Sequence, residues 1–184
     1  CMLDLRYNGS FLKLRAMLQS GAIGEIHSIL FWGQHPLKYG SRPSWYFENG
    51  KHGGTINDIG IHGIDFIPWL TGRRIVEISA AREWNAGLQA CPSFQDGAAF
   101  MLRLDNDGSA LADVSYLSAD SCGYDMPQYW RFTLSGSSGV SESRCAMAIV
   151  CNYRHSNPTV HEDTIGQGSP GRNKKTKNTP LKTT

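Results

Sequence analysis

The sequence predicts an α+β domain in which helices gather on one face of an antiparallel β-meander. Two segments with helical periodicity, around residues 10–20 and 55–71, come first, and four segments alternating with period two follow them. A third observation is the turn Asp105-Asn106-Asp107-Gly108, placed between two of the alternating segments at hairpin spacing. Helices followed by a run of strands favour segregated layers over the regular alternation of a βαβ fold.

The first helix is predicted from Ser10 to Ser20, with Phe11, Leu14, Met17 and Leu18 on one stripe and Gly21 closing it. Glu25 to Trp32 is rich in isoleucine, leucine and aromatics at both alternating positions, which predicts a strand covered on both faces. A long loop is expected over residues 33–54. It carries Pro36, Pro43, five glycines and the aromatic run Trp45-Tyr46-Phe47. Loops of this length inside a compact domain are functional or disordered, and the aromatics favour a folded, functional one. The second helix is expected over 55–71, with Gly72 at its C-terminal cap. Strands follow at Ile75 to Trp84, Ala98 to Leu104, Ala110 to Leu117 and Tyr129 to Leu134, with a last one near 146–151.

Composition narrows the function classes. The 184 residues are 40% hydrophobic and 10% aromatic, enough for a core, and no apolar run approaches the roughly 20 residues of a membrane helix. With no signal-peptide pattern either, a cytoplasmic protein without a membrane partner is the expectation. Of the 18 basic residues, five lie beyond Gly166, leaving 13 against 16 acids in residues 1–165. An acidic body carries no nucleic-acid footprint. The sequence divides into a domain over 1–151 and a polar, basic, disordered tail over 152–184, where hardly an apolar residue is available to offset ordering entropy. The G-x-G-x-x-G match at 166–171 has no strand before it and has Pro170 where a helix would start, so it is accidental. Five scattered cysteines, without C-x-x-C or zinc spacing, read as reduced thiols.

The second helix carries the chemistry. At about 100° per residue, His62 falls about 40° from Asp58, Trp69 about 20°, and Asp65 about 20° on the other side. Ile56, Ile59, Ile64, Ile67 and Leu70 occupy the rest of the circumference. Two carboxylates and a histidine on one stripe, with no lysine or arginine, suit a cleft better than a wet surface. A carboxylate one turn from an imidazole can fix its tautomer and raise its basicity for proton transfer. Two structural readings compete: Thr55 to Asp58 as a capping box at the helix start, and His62 as a histidine satisfied within the fold. Gly60 and Gly63 cost about 1 kcal/mol each in a helix interior, so something must approach it closely. A metal site from His52, Asp58, His62 and Asp65 matches no established ligand spacing, and no metal is expected.

The succession SGAIGEI, apolar strand, aromatic loop and GGTINDIGIHGIDFIPWLTG, continued by FQDGAAFMLRLDNDGSALADVSY and WRFTLSGSSGV, resembles the C-terminal domain of the Gfo/Idh/MocA oxidoreductases, the glucose–fructose oxidoreductase and inositol dehydrogenase superfamily. The resemblance covers roughly residues 3–145, and its most specific part is the D-x-x-x-H-x-x-D segment after Gly-Gly. It implies an open, mostly antiparallel sheet with helices on one face, the other face serving a homo-oligomer.

It also implies function. In that family a separate Rossmann domain binds NAD or NADP, and a sugar, cyclitol or related polyol lies between the domains. His62 corresponds to the acid/base histidine that takes the substrate hydroxyl proton as hydride leaves, Asp58 to the carboxylate that contacts substrate, and Asp65 to a frequent substrate contact. His35 lies where the family often places another such contact, and Tyr46 and Trp45 are pocket walls or core under the loop. No glycine-rich βαβ unit and no Glu-Lys-Pro segment, source of the family's catalytic lysine, occurs in the sequence. The chain is therefore expected to be the substrate-binding half of an NAD(P)-dependent oxidoreductase, truncated and inactive by itself. The alternatives are a non-catalytic sugar-binding or oligomerisation module and an NAD-assisted glycosidase of the same family.

Overall fold

In the computed structural model, residues 3–144 are described in full, with the backbone of strands at 147–152, 159–164 and 179–180. A single 3-10 turn at Asp4–Tyr7 leads into helix α1 (Gly9–Gln19), whose start is set by Asn8: its side-chain oxygen accepts the Ser10 backbone N–H at 2.9 Å. Phe11 and Leu14 are wholly buried, and Gly21 closes the helix with φ of 79°. The predicted stripe is the one that packs.

Strand β1 (Ile26–Pro36) follows and runs four residues further than its apolar run suggested. Its buried positions are Ile26, Ile29, Phe31, Gly33 and Pro36, while Leu30 and Trp32 on the other face are half-buried. The expectation of a strand covered equally on both sides is corrected: the helices cover one face only. After the loop come helix α2 (Ile61–Thr71), entered through a π-helical turn at Ile56–Gly60, and strands β2 (Ile75–Trp84), β3 (Gly97–Leu104), β4 (Ser109–Ser118), β5 (Arg131–Gly136) and β6 (Gly139–Arg144). Gly72, with φ of 73°, donates its N–H to the Pro68 carbonyl and ends α2 as predicted.

The backbone continues as β7 (Met147–Asn152), β8 (Thr159–Thr164) and β9 (Thr179–Pro180). The sheet order is β2-β3-β4-β1-β5-β6-β7-β8-β9, antiparallel throughout except for the β1–β4 pair. β1 is thus inserted between two meanders, a placement that local sequence cannot show. β6 was not foreseen; Gly-Ser-Ser-Gly at 136–139 proves to be a hairpin turn that joins it to β5. β8 and β9 fall within the segment expected to be a polar tail; the side chains there, and the glycine-rich match at 166–171, lie outside the described residues. Among the described residues no helix is long and apolar enough to cross a membrane.

Three glycines bring α2 onto the sheet. A Cβ on Gly63 would lie 2.4 Å from the Phe31 ring, one on Gly60 2.9 Å from Phe100, and one on Gly33 2.8 Å from the Ile59 side chain. The close approach that the two helical glycines signalled is therefore the sheet itself. Phe11, Phe66 and Phe132 fill the layer between, with ring centroids 4.7 to 5.7 Å apart.

Candidate functional site

The start of the second helical segment differs from its sequence pattern. Thr55 makes no cap; its hydroxyl donates to the Gln95 carbonyl, and the N–H of Ile56 goes to the Glu83 carboxylate of β2 at 2.6 Å. The capping-box reading is thereby overturned, since a tertiary partner does the work assigned to Thr55 and Asp58. The turn is also wider than an α-turn, the Ile61 N–H reaching back five residues to the Ile56 carbonyl. Single π-turns recur at functional sites because they re-aim the side chains they carry. Even helical spacing from Asp58 to His62 is accordingly broken.

Asp58 sits in a cluster drawn from three elements. Tyr46, in a 3-10 turn at Ser44–Phe47, and Tyr116, on β4, both donate their hydroxyls to Asp58 Oδ2. His52 Nε2 lies 3.5 Å from the same oxygen and 3.4 Å from the Tyr116 hydroxyl. The Arg42 guanidinium lies over the rings of Tyr46 and Tyr116, 4.6 and 5.2 Å from their centroids. Burial alone would raise the Asp58 pKa, but hydrogen bonds from His52 and Tyr46, and the charges of His52 and Arg42, outweigh it and hold the carboxyl below its ordinary range. Burial first, and then Asp58, push the Tyr46 phenol well above its ordinary value, so it stays a donor. With every contact on Oδ2 and the side chain 41% exposed, Asp58 keeps acceptor capacity for something outside the protein.

His62 is held differently. Its ring lies 4.7 Å from Trp130, and Nδ1 is buried without a hydrogen-bond partner. Neither carboxylate of the stripe bonds it: Asp58 is taken by the tyrosines, and Asp65 receives the Arg6 guanidinium from the first turn, Nε to Oδ2 at 2.7 Å. The expectation that a neighbouring carboxylate fixes the His62 tautomer by hydrogen bonding is corrected on that ground. Burial lowers the His62 pKa, and the charges of Asp4, Asp58 and Asp65 offset this only in part, so the imidazole is neutral at neutral pH.

His35, near the end of β1, is enclosed by Tyr116, Tyr124, Tyr129 and Trp130, with ring centroids 4.7 to 6.2 Å away. Its Nδ1 lies 3.1 Å from the Gly33 carbonyl oxygen, and burial brings its pKa down to about 4. The pairing of Tyr46 with Trp45 separates: Tyr46 is buried and bonds Asp58, whereas Trp45 is 50% exposed.

Sequence reasoning missed Tyr116, Trp130 and Arg42, and weighed His52 only as a metal ligand. Tyr116 could have been found, because it shares the buried face of β4 with Val114, where a phenol needs a polar partner. Nothing local marked Trp130. Among the described residues no three His, Cys, Asp or Glu side chains converge as metal ligands.

Nor do the described residues fit a dinucleotide. Among them the sheet has a single parallel pair, and the helix start near the cluster is closed by the Glu83 carboxylate, which would repel a pyrophosphate.

Comparison with known proteins gives a consistent picture. A family model described as the GFO/IDH/MocA C-terminal domain matches residues 11–142. Inositol 2-dehydrogenase 2 of Saccharopolyspora erythraea is 31% identical over 124 residues, 66% of this chain and 32% of that protein. Among solved structures, an oxidoreductase from Agrobacterium radiobacter in complex with NAD+, L-tartaric acid and magnesium superposes with a TM-score of 0.67 at 23% identity, over 85% of this chain and 43% of that one. Levoglucosan dehydrogenase in complex with NADH and levoglucosan superposes with a TM-score of 0.69 at 19% identity, over 89% of this chain and 46% of that one. These superpositions establish a shared fold. The chain spans about a third of the curated relative and under half of these two structures.

Proposed function

The chain belongs to the GFO/IDH/MocA C-terminal domain family, and from that premise we propose that it is the substrate-binding half of an NAD(P)-dependent oxidoreductase acting on a hydroxyl-bearing carbon of a sugar, cyclitol or related polyol. The observation that carries the reading is Asp58: a carboxylate kept ionised by two phenols and His52 on one oxygen, open on its other side, and followed by a neutral histidine.

An ionised carboxylate accepts a hydrogen bond from a substrate hydroxyl and orients it. Neutral His62, with Nδ1 buried, has Nε2 to accept the proton that leaves that hydroxyl on oxidation. Asp65 and His35 are proposed as further substrate contacts, and Tyr46 as a wall of the pocket. Trp45, half exposed, is proposed to cover the apolar face of a ring. NAD or NADP is proposed to be held by another domain of the complete protein. The sheet face opposite the helices, with Met101, Leu111 and Leu117 each 39 to 46% exposed, is proposed to pair with a second copy.

The test uses the complete reading frame, recovered from DNA on both sides of this sequence and assayed for NAD(P) reduction against a panel of polyols and sugars. Polyol-dependent reduction is expected, with His62→Ala lowering kcat by about 10²–10⁴ and leaving cofactor affinity unchanged. Undiminished turnover in His62→Ala, or an equal loss of cofactor binding, overturns the assignment.

A further inference from the structure

Trp130 has a backbone φ of 47°, a left-handed conformation that a bulky aromatic avoids. Such strain survives only where the surroundings over-determine it, and it clusters at functional sites. The surroundings here are specific. The Tyr129 N–H closes a turn on the Met126 carbonyl at 3.1 Å, the Gln34 N–H of β1 binds the Gln128 carbonyl at 3.3 Å, and β5 begins at the next residue with Phe132 wholly buried. Between these anchors the chain turns the indole inward, where it is 6% exposed.

The indole meets both histidines of the site, its centroid 4.7 Å from His35 and 4.7 Å from His62. It also lies parallel to Phe31, within 3° and 6.0 Å away. Phe31 in turn lies against Gly63, whose missing side chain lets the helix backbone down onto that ring. One aromatic floor therefore locates both the backbone beside His62 and the indole against its imidazole. No hydrogen bond orients the imidazole through Nδ1, so ring packing has to do it.

Resting on the reading of His62 as the proton acceptor, we propose that Trp130 is a positioning residue whose strained backbone holds its indole against the His62 imidazole and sets the direction in which Nε2 points. A tryptophan that merely filled the core could do so from ordinary extended backbone. The charged and titratable groups that act on His62 are Asp4 from the first turn, Asp58 from the π-turn and Asp65 from α2, with His35 of β1 across the indole.

The experiment is NMR of the histidine rings in this chain, wild type and Trp130→Phe, which keeps an apolar ring but not the indole face. In wild type an NOE between the Trp130 indole and the His62 ring is expected, with His62 proton signals shifted upfield by the ring current. In Trp130→Phe the upfield shift should shrink and the His62 titration midpoint should rise, while Asp58 titrates as before. If the variant does not fold, the wild-type spectra decide, and absence of the NOE overturns the proposal. Unchanged His62 signals and midpoint in a folded Trp130→Phe also overturn it. In the complete oxidoreductase the same variant should lower kcat on the order of tenfold to a hundredfold with little change in KM. If the NMR result holds but His62→Ala leaves turnover intact, the proton-transfer reading fails while the packing of His62 on Trp130 stands.

Discussion

Glu83 on β2 accepts the backbone N–H of Ile56 at 2.6 Å, so the helix that carries Asp58 and His62 is capped from across the sheet. This releases Asp58 from the role its sequence position suggests and leaves it free to meet Tyr46 and Tyr116. Replacing Glu83 by Ala should cost about 1–2 kcal/mol in denaturant unfolding, the usual loss for a helix cap. Thr55→Val should cost less, since one neutral hydrogen bond contributes about 1 kcal/mol. Equal stability of Glu83→Ala and wild type would show that the cap contributes nothing.

Gly63→Ala sets two effects against each other. Alanine gains about 1 kcal/mol of helix propensity, but its Cβ would lie 2.4 Å from the buried Phe31 ring, and overpacking costs typically about 1–3 kcal/mol. Loss of stability is expected. Gly9→Ala, where a Cβ meets nothing within 4 Å, should be neutral or mildly stabilising. Thermal melts of the pair provide the comparison.

The donors on Asp58 can be removed one at a time. Tyr116→Phe and Tyr46→Phe each delete a hydrogen bond to the charged form, so the carboxyl should titrate at higher pH than in wild type, and His52→Ala should act in the same direction. Each such bond contributes about 1.5–3 kcal/mol. Carboxyl carbon shifts of labelled aspartate across pH 2–6 measure this, and a downward movement would contradict the arrangement.

His35 makes stability depend on pH. Its pKa is about 4 folded and about 6.5 unfolded, so between these values the unfolded chain binds the additional proton and stability rises with pH. The contribution is complete above pH 6.5, falls away as pH drops towards 4, and levels below that, at a total of about 3 kcal/mol. Unfolding in urea at pH 7, 5.5 and 4.5 should show the decline, and His35→Gln should flatten most of it.

The Arg6–Asp65 pair is partly exposed, so Arg6→Ala should cost no more than about 1 kcal/mol of stability. It should nevertheless leave the Asp65 charge uncompensated beside α2 and raise the His62 midpoint. A histidine titration by NMR separates the two outcomes.

Much of this protein could be read locally. Phe11 and Leu14 declare the buried face of α1 by their spacing, Asp107-Gly108 declares a hairpin, and the D-x-x-x-H-x-x-D run after Gly-Gly marks the residues of the candidate site together with their family resemblance. These signals are legible because each depends on neighbours within a turn or a strand. β6 was not legible, because a Gly-Ser-Ser-Gly turn looks the same whether or not a partner strand follows it.

Periodicity alone sufficed for two helical segments and most strands, and it put Asp58, His62 and Asp65 on the second of those segments. Which group each of those side chains meets was decided by the sheet: β1 inserted between β4 and β5 brings Tyr116 and Trp130 to the helix, β2 sends Glu83 to its first N–H, and the opening turn delivers Arg6 to Asp65. The physical reason is that hydrogen-bond partners and pKa shifts arise from atoms within a few ångströms, and Tyr46, Glu83, Tyr116, Arg6 and Trp130 stand 12 to 68 positions in sequence from the residues they meet. Spacing along one helix cannot report them.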